Sequence, residues 1–187
     1  MTEHAVHQVL LHFLLPLWIV AGAADCLCHR ASHIERTAGA FESALHLLML
    51  VEMALPLLAG LFLEINALVL AVMLSAFVIH EATALWDVWY AGRHRKITPV
   101  EQHVHSFLEL VPLMALVAVM ELHWPQFLAL FGLGVEAPDF SIELKSKPLD
   151  ARYVAGVLVA ASLLIVVPYI LEFRRGLHAQ SRRTEAE

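Results

Sequence analysis

Long apolar runs separated by short polar links dominate the chain, and the runs are far too long for β-strands. Taken with their helical extensions, five of them reach spanning length: Val9–Ala24, Ala44–Leu63, Ile65–Ala84, Leu108–Leu122 and Val154–Leu171. A helix needs about 20 mostly apolar residues to cross the hydrocarbon core of a bilayer. Only helices and closed barrels satisfy their own backbone hydrogen bonds there. The pattern therefore predicts an all-α, polytopic membrane protein with about five transmembrane helices. Residues 1–175 read as a single transmembrane helical domain and 176–187 as a flexible cytoplasmic tail.

The flanks of each run refine this layout. The first run lacks a basic start and ends in Asp25-Cys26-Leu27-Cys28-His29-Arg30, so it reads as a retained helix and not a cleaved signal peptide. Glu64-Ile65-Asn66 is short enough to make runs two and three a tight hairpin. The longest link runs from His123 to Asp150, and its apolar stretch Phe127–Leu133 suits the outer interface. With five spans, nine of the 12 basic residues (Arg30, Arg36, Arg93, Arg95, Lys96, Arg174, Arg175, Arg182 and Arg183) fall on one side. The positive-inside rule makes that side cytoplasmic, with the N-terminus outside, as in a multi-pass protein of a cell inner membrane.

Composition agrees and excludes other classes. The chain is 59% hydrophobic and 16% charged, with mean hydropathy +0.69, against about 25% charged in a soluble domain. A net charge of −6 leaves no broad basic surface for nucleic acid. Two cysteines are too few for a disulfide scaffold or an iron–sulfur cluster. What does not fit membrane filler is the set of 12 histidines and 18 acidic residues, because ionisable groups in apolar runs are costly and mark function.

These residues fall in stripes. Asp25, His29 and His33 lie four apart at the end of run one, and Glu42 and His46 four apart at the start of run two. His80 and Asp87 lie seven apart on run three, and Glu101, His105 and Glu109 four apart where run four begins. Residues at these spacings share a helix face. Because the runs alternate in direction, all four stripes converge on the cytoplasmic end, which predicts a four-helix metal-binding bundle. At about 1.5 Å rise per residue, Asp25, His80 and Glu109 form the deepest layer. His29, His46 and His105 come next, with His33, Glu42, Asp87 and Glu101 nearest the cytoplasm. Packed carboxylates and imidazoles need a cation to neutralise them, and this many ligands exceeds one tetrahedral zinc site. Nitrogen and oxygen ligands suit two metal ions, iron first, with zinc or manganese as options. Plainer roles stand beside this one. Glu101 can close a Thr98-x-x-Glu101 capping box, His33 can be a solvated loop histidine, and Asp87 can pair with Arg93 or Arg95. Glu52 and Glu81, off the main faces, can act as supporting partners.

The layout resembles the membrane-bound histidine-box di-metal oxidases, which include fatty-acid desaturases, fatty-acid hydroxylases and alkane hydroxylases. His29-x-x-x-His33 matches one box and His103-x-His105 is a loose echo, whereas paired His-His boxes are absent and carboxylates stand in their place. The likeness is one of organisation over roughly residues 20–110. The expected function is an integral-membrane di-iron oxidoreductase acting with O2 on a lipophilic substrate, by hydroxylation, desaturation or oxidative cleavage. Electrons would come from a cytoplasmic ferredoxin or reductase, since the chain has no Gly-rich dinucleotide fingerprint. Two alternatives remain open: an intramembrane zinc-dependent hydrolase, and a non-enzymatic haem-binding or metal-transporting protein.

Overall fold

The computed structural model describes residues 2–185, apart from the side chains of Arg183 and Thr184. Five long helices carry the structure: α1 Glu3–Ala31, α2 Ala40–Phe62, α3 Ala67–His94, α4 Pro99–Leu122 and, after the short helix α5 Trp124–Leu130, α6 from Ala151. Helix α6 continues through Thr184, past the expected tail boundary at residue 176, while Ala186 and Glu187 lie outside the described residues. All five long helices are long and apolar enough to cross a membrane. No strand forms among the described residues; one isolated bridge joins Leu63 and Leu144.

Their surfaces suit lipid. Leu85 (74% exposed), Leu27 (68%) and Val51 (67%) project from the bundle, and burying such a side chain is worth about 1.5–3 kcal/mol. A water-soluble protein does not present apolar patches on this scale.

The helix ends follow local chemistry. Asn66 accepts from the Val69 amide to start α3, and Asp150 accepts from the Arg152 and Tyr153 amides to start α6. Thr98 and Glu101 form a complete capping box at α4, with Pro99 in the first turn. His33, at φ 50°, and Gly39, at φ 78°, make the left-handed turns that reverse the chain between α1 and α2. Helices α1 and α6 each widen into one π-turn, at Leu10–Leu14 and Ser162–Val166. Pro16 and Pro168 explain both. Each follows the centre of its π-turn by four residues, where its ring would strike the carbonyl of an α-helical turn.

Helix α2 packs against α3 as the expected hairpin, α1 lies along α4, and α6 closes the bundle against α2. Residues after α5 fold over the hairpin, with Lys145 N–H donating to Phe62 O and Glu64 N–H to Glu143 O, both at 2.9 Å. Alternation brings the ends of α1 and α3 together with the starts of α2 and α4, at the end of the bundle that carries the basic loops.

Two glycines mark close helix approach. A Cβ on Gly176 would stand 2.9 Å from the Ala40 Cα and 3.0 Å from its nitrogen, and one on Gly22 would meet Ile165 at 2.8 Å. Backbone cannot yield as a side chain can, so Gly176→Ala is expected to push α6 off α2 and cost about 1–3 kcal/mol. Gly92→Ala, where nothing lies within 4 Å, should be neutral or stabilising by up to about 1 kcal/mol. Thermal unfolding of both variants in one detergent checks this; equal behaviour would deny the close approach.

Candidate metal centre

Five helices, not four, bring ionisable groups together at the basic end. From α1 come Asp25 and His29, from α2 Glu42 and His46, from α3 Asp87, from α4 Glu101 and His105, and from α6 Tyr169 and Glu172. Asp25, His29, Glu42, His46, Asp87, Glu101 and Glu172 are all buried, none more than 3% exposed. Four-residue spacing places Asp25 with His29, Glu42 with His46 and Glu101 with His105 on single faces, and Tyr169 with Glu172 at three.

Glu172 organises the centre. Its Oε2 lies 3.2 Å from His29 Nδ1 and its Oε1 3.1 Å from His46 Nδ1. One carboxylate thus holds two imidazoles, which stack at 4.2 Å between centroids with 9° between planes. With both Nδ1 atoms donating to Glu172, both Nε2 lone pairs are left free, the arrangement by which a carboxylate orients a metal-binding histidine. Neither Nε2 has a hydrogen-bond partner, and neither does Asp87 Oδ1. Buried polar atoms are otherwise almost always satisfied.

The free nitrogens face carboxylates. His29 Nε2 is 3.3 Å from Asp25 Oδ2 and 3.7 Å from Glu101 Oε1, and His46 Nε2 is 3.4 Å from Asp87 Oδ2. His105 Nε2 is 3.0 Å from Asp25 Oδ1, while the Tyr169 hydroxyl donates to Asp25 Oδ2 at 2.8 Å. Two sets of three could each hold a metal ion: Asp25, His29 and His105, and His29, Glu42 and His46, with ligand atoms within 4.8 Å of one another. Ligands about 2.0–2.2 Å from an ion would need only a modest inward shift.

Arg95 changes the expected role of its loop. Its backbone leaves α3 extended, at φ −152° and ψ 168°, and turns the guanidinium inward. Nε and Nη2 donate to both oxygens of Glu42 at 2.5–3.2 Å, and Nη2 also donates to Glu101 at 2.5 Å. These two carboxylates hold its charge firmly, raising its pKa against the effect of burial. Asp87 pairs with His46 rather than with Arg93, whose guanidinium lies 3.7 Å over the Trp89 ring.

Three candidates stand apart. The His33 side chain is 68% exposed and 3.7 Å from Glu35. His80 sits deeper along α3, where its Nδ1 lies 3.7 Å from Glu52 Oε2 and Thr83 donates to Glu52 Oε1 at 2.8 Å. Glu109, half-buried, shares with His80 the wall of an apolar cavity of about 220 Å³ that also reaches Asp25, His46, Asp87 and His105. Glu172 and Tyr169 are the residues the stripes did not reveal. The only signal was an acid and a tyrosine three apart at the end of the fifth run.

Glu172→Gln keeps the volume and removes the charge that holds both imidazoles. It is expected to weaken metal binding about 10–100-fold, as measured by competition with a chromophoric chelator. Unchanged affinity would show that Glu172 does not orient the ligands.

Comparison with models of known protein families, with curated proteins and with solved structures gives no match.

Proposed function

We propose that the chain is an inner-membrane oxidoreductase, N-terminus outside and C-terminus cytoplasmic, that holds two metal ions and oxidises a lipophilic substrate with O2. Charge balance carries this reading. Five buried carboxylates, Asp25, Glu42, Asp87, Glu101 and Glu172, face a single fixed cation, Arg95. The remainder is four negative charges, which two divalent cations cancel. Protonating His29, His46 and His105 together would still leave one charge over, and an uncompensated charge in so dry a site costs several kcal/mol.

Ligand identity favours iron, since three imidazoles and several carboxylates with no thiolate suit it. Cys26 and Cys28 supply no ligand atom to either candidate set. Because His29 offers one free nitrogen, it would hold a first ion together with Asp25 and His105. That leaves His46 with Glu42, and Asp87 at 3.4 Å from the His46 ring, for a second. Iron held there would supply O2 binding and electron transfer.

The protein's own groups do the rest. Tyr169 holds Asp25 in place through its hydroxyl, and Glu172 fixes both rings. Trp18, Ile19, Leu50, Ala54, Leu57 and Ile165 line the cavity against the cluster, admitting an apolar substrate and excluding water from the reaction. Nδ1 of His80 and Oε2 of Glu52, both unpartnered, can hold one proton between them at the edge of that cavity. Exposed Arg30, Arg93 and Lys96 surround the basic end and suit an acidic cytoplasmic ferredoxin or reductase.

An intramembrane zinc hydrolase is the second reading, favoured by Asp25, His29 and His105, which match a three-ligand zinc site. Elemental analysis of purified protein separates the two. Oxidase chemistry requires about two irons per chain, as in carboxylate-bridged four-helix sites, and reductant-dependent O2 uptake. His29→Ala and His46→Ala should each lose at least half the metal, whereas His33→Ala should keep it. One zinc per chain would support the hydrolase, and full loading of His29→Ala would refute the centre.

A further inference from the structure

A second cavity, of about 280 Å³, lies at the opposite end of the bundle. Leu10, Leu14, Pro56, Leu61, Val111 and Leu116 are typical of its walls, and its only ionisable lining groups are His7, His123, Lys145 and Lys147. No carboxylate lines it. The cavity over the metal cluster is the reverse, with Asp25, Asp87 and Glu109 in its lining.

The two spaces adjoin. Trp18, Met53 and Leu57 belong to the walls of both, so the route along α1 and α2 past these side chains leads from the lysines to the carboxylate–imidazole cluster. Its length follows from α1: His7 lines the far cavity and Asp25 the near one, and eighteen residues of helix rise about 27 Å. That is the span of a long, extended alkyl chain.

Lysine at an apolar cavity needs a reason. The Lys145 backbone is tied down by its N–H bond to Phe62 O, which keeps the side chain at the mouth. Burial lowers the ammonium's pKa, a sign that it lacks a full counter-charge. Glu64, the acid whose charge acts on it, is engaged by Ser146, whose N–H and hydroxyl donate to its Oε1 at 2.7 and 2.6 Å. Burial and Lys145 also lower the pKa of His123. A half-desolvated cation of this kind gains most from an anion brought in by the ligand.

We infer that the substrate is a single-chain amphiphile whose anionic headgroup sits at Lys145 and Lys147 and whose alkyl chain runs past Trp18 and Met53 to the cluster. The inference rests on the proposed function for the reaction but not for binding. It places the site of oxidation toward the far end of the chain from the head. A fatty-acid carboxylate and a lysophospholipid phosphate share this chemistry.

Binding to metal-free protein in phosphatidylcholine nanodiscs tests it without depending on iron. Radiolabelled palmitate, lysophosphatidate and the neutral hexadecanol are compared. At least one anion is expected to bind about tenfold more tightly than hexadecanol, and the anion that does so names the source of the headgroup. Lys145→Gln combined with Lys147→Gln should remove that advantage and leave hexadecanol binding unchanged. Equal binding of the neutral alcohol, or anion binding that survives the double substitution, overturns the proposal. A palmitate analogue with a diazirine at its methyl end should label Leu50, Ala54 or Ile165, which line only the inner cavity. Labelling of Leu10 or Leu116 instead would reverse the orientation and equally overturn it. Loss of metal binding with anion binding intact would defeat the proposed function alone.

Discussion

Charge neutrality in a dry place is the constraint on which this structure turns. Carboxylates from all five long helices meet at one end of the bundle, where the guanidinium of Arg95 pairs with two of them, Glu42 and Glu101. Each carboxylate would be costly alone, and together they would repel or take up protons. Hydrogen bonds satisfy only part of the set. Glu42 and Glu101 share the guanidinium and Glu172 holds two imidazoles. Asp87 Oδ1 and the Nε2 atoms of His29 and His46 remain without a hydrogen-bond partner. Free imidazole nitrogens turned toward carboxylates of α1, α3 and α4 are what a cation site looks like before the cation is considered.

The fold serves that convergence. Gly176 lets α6 approach the first turn of α2 closely enough for Glu172, one turn earlier, to reach both His29 and His46. Gly22 does the same for α1 against α6, where Ile165 fills the space a side chain would need. The polar end is thus tightly drawn together. Further along, the bundle opens into two adjoining apolar cavities that share Trp18, Met53 and Leu57, with acidic groups at one extreme and lysines at the other.

Much of this was legible in the sequence, because apolar length and four-residue spacing are local properties. All five predicted spans coincide with helices. Their ends were underestimated, since α1 begins at Glu3 rather than Val9 and α4 at Pro99 rather than Leu108; helices continue into polar turns that a hydropathy criterion discards. Asp25, His29, Glu42, His46, Asp87, Glu101 and His105 come together, as converging stripes imply. The finer layering does not follow from rise alone. Asp25 meets His105, and His80 lies with Glu52 instead of in one layer with Asp25. Two residues could not be ranked from spacing. Glu172 stands beside Arg174 and Arg175 and reads as part of a basic end, and Arg95 reads as one more loop cation until its backbone turns it inward. Both contacts cross long stretches of sequence, where periodicity carries no information.

The most direct measurement is an anomalous-scattering difference map from crystals of iron-loaded protein, collected on both sides of the iron absorption edge. Two edge-dependent peaks are expected, one bounded by Asp25, His29 and His105 and the other beside His46 and Asp87. A map in which these side chains keep their positions with no anomalous peak among them would contradict the account.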